Sequence, residues 1–265
     1  MVEMFIEHSI LRYIRNHQMK AFFTLLLIAT ALGLSAQKVD TRYFELRIYY
    51  TAPGRMDALL ERFRSHTTKI FEKHGMENIG YWLPATGEQN VLYYILAYPT
   101  KEARDKSWGA FSSDPKWKEV QAKSEESGKI VDSVKSVFMN VAGDIMPKIK
   151  AGSGTGRVFE LRTYTCLPGR LPNLITRFKD HTTKLFEKHG MENIIYYTSV
   201  EKDGGQSKLV YLLAHKSQEA AAKSWEGFRA DPVWIEARDA SEKDGKIVEK
   251  VESVYLKPTD FSKIK

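Results

Sequence analysis

The chain says nearly the same thing twice. Residues 44–79 read FELRIYYTAPGRMDALLERFRSHTTKIFEKHGMENI, and residues 159–194 read FELRTYTCLPGRLPNLITRFKDHTTKLFEKHGMENI, identical at 24 of 36 positions. The match resumes in KSW-x-x-F-x-x-DP-x-W, which starts at Lys106 and again at Lys223, and in GKIV at 128–131 and 245–248. Self-similarity over more than 100 residues is a duplicated domain and not a short solenoid unit. The duplication fixes the organisation: one module over 38–150, a glycine-rich linker AGSGTG at 151–156, and a second module over 157–265.

Each module is large enough to bury its own core. The formal charge of +7 falls to about +6 once Arg12, Arg15, Lys20, Glu3 and Glu7 are set aside, and acidic residues interrupt every basic segment. That pattern reads as a solvated surface and argues against a nucleic-acid face. Met19-Lys20 is followed by the apolar AFFTLLLIATALGL and then Ser35-Ala36-Gln37, the form of a secretory signal peptide. The stretch is short for a membrane span. The expectation is therefore an extension over 1–18 ahead of the true start, a signal peptide over 19–36 cut after Ala36, and an exported mature protein without stable membrane insertion. An uncleaved amino-terminal anchor is the alternative. Cys166 is the sole cysteine, and Thr51 stands in its place in the first module, so a catalytic thiol is not expected.

Within a module the periodicity predicts a strand over 42–51, an amphipathic helix from Arg55 to His74 closed by Gly75, and two strands over 76–84 and 90–98. A helix over 100–113 follows, then a segment opened by Asp114-Pro115, then a last strand over 129–141. The order β-α-β-β-α-β is ferredoxin-like. A sheet with helices on one face needs a cover on the other. The second copy supplies it, giving an α+β fold in which two tandem ferredoxin-like modules form an intramolecular pseudo-dimeric α+β barrel with helices outside.

The motifs FELR-x-Y, PGR, RF-x-x-H and FEKHGME resemble the NIPSNAP family, within the dimeric α+β barrel superfamily, over about 42–141 and 157–257. The superfamily implies cofactor-independent oxygenases, small-molecule isomerases and cyclases, and haem enzymes. The family itself implies organelle-associated and protein-interaction roles. Fold is implied strongly and chemistry weakly, because function belongs to the site.

His66 and His181 are the first candidates for catalysis. Leu59, Phe63, His66 and Ile70 share a helical stripe, which places His66 at the border of the face toward the sheet. An imidazole there suits a general base or a haem ligand, set against a plain hydrogen bond to a carbonyl or to Thr67. His74 and His189 sit in the last helical turn, where a cation suits the dipole. Glu45, Arg47 and Tyr49, with Glu160, Arg162 and Tyr164, share one strand face. Either they point to the partner sheet, where cross-module Glu–Arg pairs are expected, or the phase is swapped and they lie under the helices. Arg47, Tyr49, Trp108, Arg162, Tyr164 and Trp225 are the candidate ligand-binding set. Trp108, Phe111, Trp225, Phe228, Trp117 and Trp234 read as core that can also wall a pocket. Arg55 and Arg170 read as surface arginines, with an anion at the helix start as the other reading.

No metal site and no cofactor is expected, with haem through His66 or His181 as the exception. The chain lacks a Gly-rich phosphate loop, H-E-x-x-H, G-x-S-x-G and paired cysteines. The expected partner is a small hydrophobic or aromatic molecule between sheet and helices, with cofactor-independent chemistry as an option. A non-catalytic module for an envelope protein is the rival reading, and further homo-oligomerisation stays open.

Overall fold

The computed structural model describes residues 38–87, 90–150, 156–200 and 205–265. The extension, signal peptide and most of the linker expected from sequence lie outside the described residues. Among those described, no helix is long and apolar enough to cross a membrane.

Each module runs as expected. In the first, β1 is Tyr43–Thr51, β2 Glu77–Pro84, β3 Val91–Tyr98 and β4 Val131–Val141. In the second, β5 is Val158–Cys166, β6 Glu192–Ser199, β7 Lys208–His215 and β8 Val248–Pro258. The eight strands close in the order β1-β3-β2-β8-β5-β7-β6-β4. The two sheets meet edge to edge: Trp82–Pro84 pairs with Leu256–Pro258, and Met139–Val141 pairs with Tyr197–Ser199, all antiparallel. Closure removes the sheet edges that would otherwise expose unpaired backbone.

Between β1 and β2 the chain forms one helical run, α1, α-helical over Met56–Arg62, π-helical over Phe63–Thr67 and α-helical again over Thr68–Lys73. The hydroxyls of Thr67 and Thr68 each donate to the carbonyl five residues back, Arg62 O and Phe63 O, both at 3.1 Å. Gly75 closes the run at φ +75°, a conformation that costs other residues a clash. Two helices follow β3: α2 is Lys101–Ser113, capped by Thr100, and α3 is Pro115–Ser124, capped by Asp114. The second module repeats this with α4 (Leu171–Arg177, π-helical Phe178–Thr182, Thr183–Lys188), α5 Gln218–Ala230 and α6 Pro232–Ser241.

The alternation of β1 settles which face points where. Phe44 and Leu46 enter the lumen cluster with Ile95, Met139, Phe159 and Leu212, and Ile48 packs against it. Glu45, Arg47 and Tyr49 therefore lie under the helices, so the expected cross-module Glu–Arg pairs do not form. The helices cover that layer with Leu59, Phe63, Phe71 and Phe111 in one module, and with Leu174, Phe178, Phe186 and Phe228 in the other.

One end of the lumen is plugged by aromatics. Phe44 lies 4.9 Å from Tyr197 and Trp82 lies 6.1 Å from Phe159, ring to ring, and all four are essentially inaccessible. A Cβ on Gly80 would sit 2.2 Å from the Trp82 ring, so the indole occupies space that only glycine leaves. The second module places Ile195 and Tyr197 at the matching positions.

The segments after β4 and β8 cross to the opposite module. Ala142 N donates to Tyr196 O at 2.8 Å and Lys150 N to Ile194 O at 2.9 Å. Reciprocally, Thr259 N donates to Tyr81 O at 3.0 Å and Tyr81 N to Ser262 Oγ at 2.9 Å. Ile264 reaches the lumen cluster and Phe261 stacks on Phe63 at 6.4 Å.

Candidate functional site

The layer between sheet and helices holds a buried carboxylate in each module. Glu45 Oε1 accepts from Arg47 Nη1 at 2.6 Å, Arg104 Nη2 at 2.9 Å and Ser136 Oγ at 3.0 Å. Its Oε2 accepts from Arg104 Nε at 2.9 Å, Trp108 Nε1 at 3.1 Å and the Tyr98 hydroxyl at 3.2 Å. Burial alone pushes this carboxyl up, but Arg104 and Arg47 outweigh it and hold Glu45 below the ordinary value. Arg47 stacks over the Trp108 ring at 4.2 Å and donates through Nε to the Tyr94 hydroxyl at 2.9 Å.

The second module keeps the carboxylate and changes its partners. Glu160 accepts from Arg162 Nη1 and Ser253 Oγ at 2.6 Å each and from Trp225 Nε1 at 2.7 Å, with His215 Nε2 at 3.0 Å. Burial again pushes upward, and His215, Arg162, Ser253 and Trp225 together bring Glu160 down to about 2. His215 stands where Tyr98 stands in the first module, and Ala221 where Arg104 stands. His215 Nδ1 is buried without a hydrogen-bond partner.

The candidate binding set thus comes together in two groups. Arg47 touches both Trp108 and Tyr49, the latter at 3.4 Å, and Arg162 touches both Trp225 and Tyr164, with 3.2 Å to the Tyr164 hydroxyl. The arginines are engaged by carboxylate and phenols. What remains open nearby is a cavity of about 170 Å³ walled by Tyr49, Phe63, Phe71, Phe111 and Trp117, with Arg62 stacked on Trp117 at 5.2 Å.

His66 and His181 lie elsewhere. The π-turn adds a residue to the helix where the 3.6-residue stripe placed His66, so Thr67 takes the buried position and His66 turns outward. Both histidines are exposed and line grooves of about 380 and 340 Å³ between the first and third helices of their modules. The expected position at the sheet-facing border is not observed. A haem between helix and sheet does not fit these residues: neither histidine reaches that layer, and His215, which does, has its Nε2 on Glu160.

His74 and His189 do more than face a dipole. His74 Nε2 and Lys73 Nζ both lie 2.7 Å from Asp114 Oδ2, and this aspartate also caps the third helix. Lys73 and His74 hold Asp114 well below the usual carboxylate range, and Asp231 is held likewise by Lys188 and His189. The Arg55 guanidinium donates to Ser124 O at 2.9 Å and Gly128 O at 3.1 Å. Cys166 is buried, which pushes its thiol up to about 11. Among the described residues no group of three or more His, Cys, Asp or Glu is placed to hold a metal ion.

Sequence reading missed Arg104, Tyr98, Ser136, His215 and Ser253 as partners of the buried carboxylates. Arg104 carried a signal, lying one helical turn before Trp108; the others follow only from strand register.

A family model described as NIPSNAP matches residues 44–143 and again 159–263. Protein NipSnap homolog 3A of Pongo abelii is 26% identical over 93 residues, 35% of this chain and 37% of that protein, so the chain spans well under half the relative's length. Among solved structures, a provisionally assigned monooxygenase from Lactobacillus acidophilus NCFM superposes with TM-score 0.51 at 14% identity, covering 83% of this chain and 94% of that one. An anthrone oxidase-like protein gives TM-score 0.51 at 14% identity, with 85% and 95% covered. At such identities the structures establish a shared fold.

Proposed function

This chain belongs to the NIPSNAP family, and on that premise we propose that it is an exported protein that binds a small aromatic molecule between sheet and helices. The observation that carries the reading is the aromatic cavity of about 170 Å³ in the first module. An apolar cavity of roughly 150 Å³ takes one benzene-sized ring. Tyr49, Phe63 and Trp117 offer ring faces and edges, and Arg62, paired with Glu125 at 3.0 Å, stands beside them. Cofactor-independent chemistry there would draw on polar groups of this wall, among them Tyr49, Arg62, Gln121 and Glu125, and not on the solvent-facing His66 and His181. Export rests on the signal-peptide form of residues 19–36.

A second reading has its own observation. Val233 and Ile235 are 48% and 38% exposed on the last helix of the second module, where the first module has Lys116 and Lys118. Paired exposed apolar residues suit a protein partner in the envelope.

Native mass spectrometry of protein from an exporting host, followed by p-cresol titration read by tryptophan fluorescence, tests both. The pocket reading expects a mature mass beginning at Gln37, saturable p-cresol binding, and its loss in Trp117→Ala. No saturable response to p-cresol would sink that reading. Capture of an envelope protein that Val233→Lys abolishes would replace it with the second.

A further inference from the structure

The barrel is filled at one end only. Below the aromatic plug the lumen opens into a cavity of about 400 Å³, lined by apolar Leu46, Ile48, Tyr93, Val137, Leu161 and Val254. This lies on the opposite face of the sheet from the sheet–helix cavity: along β1, Ile48 points in and Tyr49 points out. Eight-stranded barrels of this size can hold one small ligand, and the volume falls within the usual range for such sites, roughly 300–1,000 Å³.

The mouth carries charge. Lys135 stands at the rim with its ammonium 5.1 Å from the Tyr50 ring centre and makes no ion pair among the described residues. Glu252, across the mouth, is matched by Lys250 at 2.7 Å. Lys208 also lines the cavity. The rim therefore offers an anion an unmatched cation at the end of an apolar channel.

The two copies have diverged at this end. Leu46 matches Leu161 and Val137 matches Val254, whereas Ile48 faces Thr163, Tyr93 corresponds to Val210, and Lys135 corresponds to Glu252. Toward the mouth the first wall carries Ile48, Tyr93 and Lys135, and the second Thr163, Val210 and Glu252.

We propose that the open end of the barrel lumen binds a small amphipathic anion, its apolar body inside the barrel and its charged head at Lys135. The probes are octanoate and its neutral counterpart 1-octanol, titrated calorimetrically into the purified protein. Octanoate binds saturably at one site, with affinity that falls as salt rises. Lys135→Glu weakens octanoate by about fivefold, the scale of losing one exposed charge pair, and leaves 1-octanol unchanged. Ile48→Trp fills the lumen and abolishes both; should that variant fail to fold, Lys135→Glu, altered only at an exposed position, decides the matter. Trp117→Ala leaves octanoate binding intact, which separates this site from the sheet–helix cavity. Absence of saturable octanoate binding, equal affinity in Lys135→Glu, or loss in Trp117→Ala overturns the proposal.

Discussion

The two modules solve one problem with different parts. Both bury a glutamate beneath a tryptophan, and both stack an arginine on that tryptophan at 4.2 Å. The first module surrounds the carboxylate with two guanidiniums; the second uses one guanidinium, an imidazole and a serine 2.6 Å away. A buried carboxylate can be satisfied by more than one donor set as long as every lone pair is used. The difference lies in what each set leaves over. The first strands nothing on Glu45, while the second leaves His215 Nδ1 buried without a partner.

The largest effect should come from removing the carboxylates. Glu45→Ala leaves Arg47 and Arg104 without their anion and should cost about 3–5 kcal/mol, the usual loss when one partner of a buried pair goes. Glu160→Ala strands one guanidinium where Glu45→Ala strands two, so urea denaturation should show a smaller loss. Equal losses would mean the second guanidinium contributes nothing. Next comes acid. Glu160 is held at about 2, below its ordinary value, so its contribution is complete above the ordinary range and is withdrawn as pH falls toward about 2. Glu160→Gln should be less stable than the parent at neutral pH and should lose less on acidification through that window; a parallel pH profile would refute the linkage.

Gly80→Ala, which drives a methyl into Trp82, should cost roughly 1–3 kcal/mol by overpacking. An unchanged melting temperature would show that the plug yields. Grafting the first network onto the second, as His215→Tyr with Ala221→Arg, should reveal favourable coupling of about 0.5–3 kcal/mol in a double-mutant cycle. Additive singles would show that Arg104 and Tyr98 act independently. Cys166→Thr, which restores the first module's residue, should shift stability by less than about 1 kcal/mol. Its parent thiol, raised to about 11, should resist a thiol reagent until the chain unfolds.

The elements were legible because their signals are local. Period-two spacing marked β1, Asp114-Pro115 marked a helix start, and Gly75 marked a helix end. The phase of β1 was not legible, because both of its faces are buried: Phe44 and Leu46 in the lumen, Glu45 beneath helices. Buried charge and buried hydrocarbon look alike to an alternation rule when neither side meets water. The position of His66 was misjudged for a different reason. A helical wheel assumes constant pitch, and the π-turn breaks it. The adjacent Thr67 and Thr68, whose hydroxyls bond five residues back, are the one trace of that turn in the sequence. The crossing tails escaped because residues 142–150 and 259–265 have no period, although Ile145, Met146, Ile149, Phe261 and Ile264 all pack.

The covalent join between the modules has a consequence for inheritance. In a barrel built from two separate identical chains, every lumen position occurs twice, and any substitution is imposed on both walls at once. A lysine on one wall and a glutamate at the equivalent position of the other, as at Lys135 and Glu252, cannot arise there. Fusion lifts that constraint, and it makes closure an intramolecular event that dilution does not reverse. Each wall can then change by itself while its neighbour keeps the barrel shut.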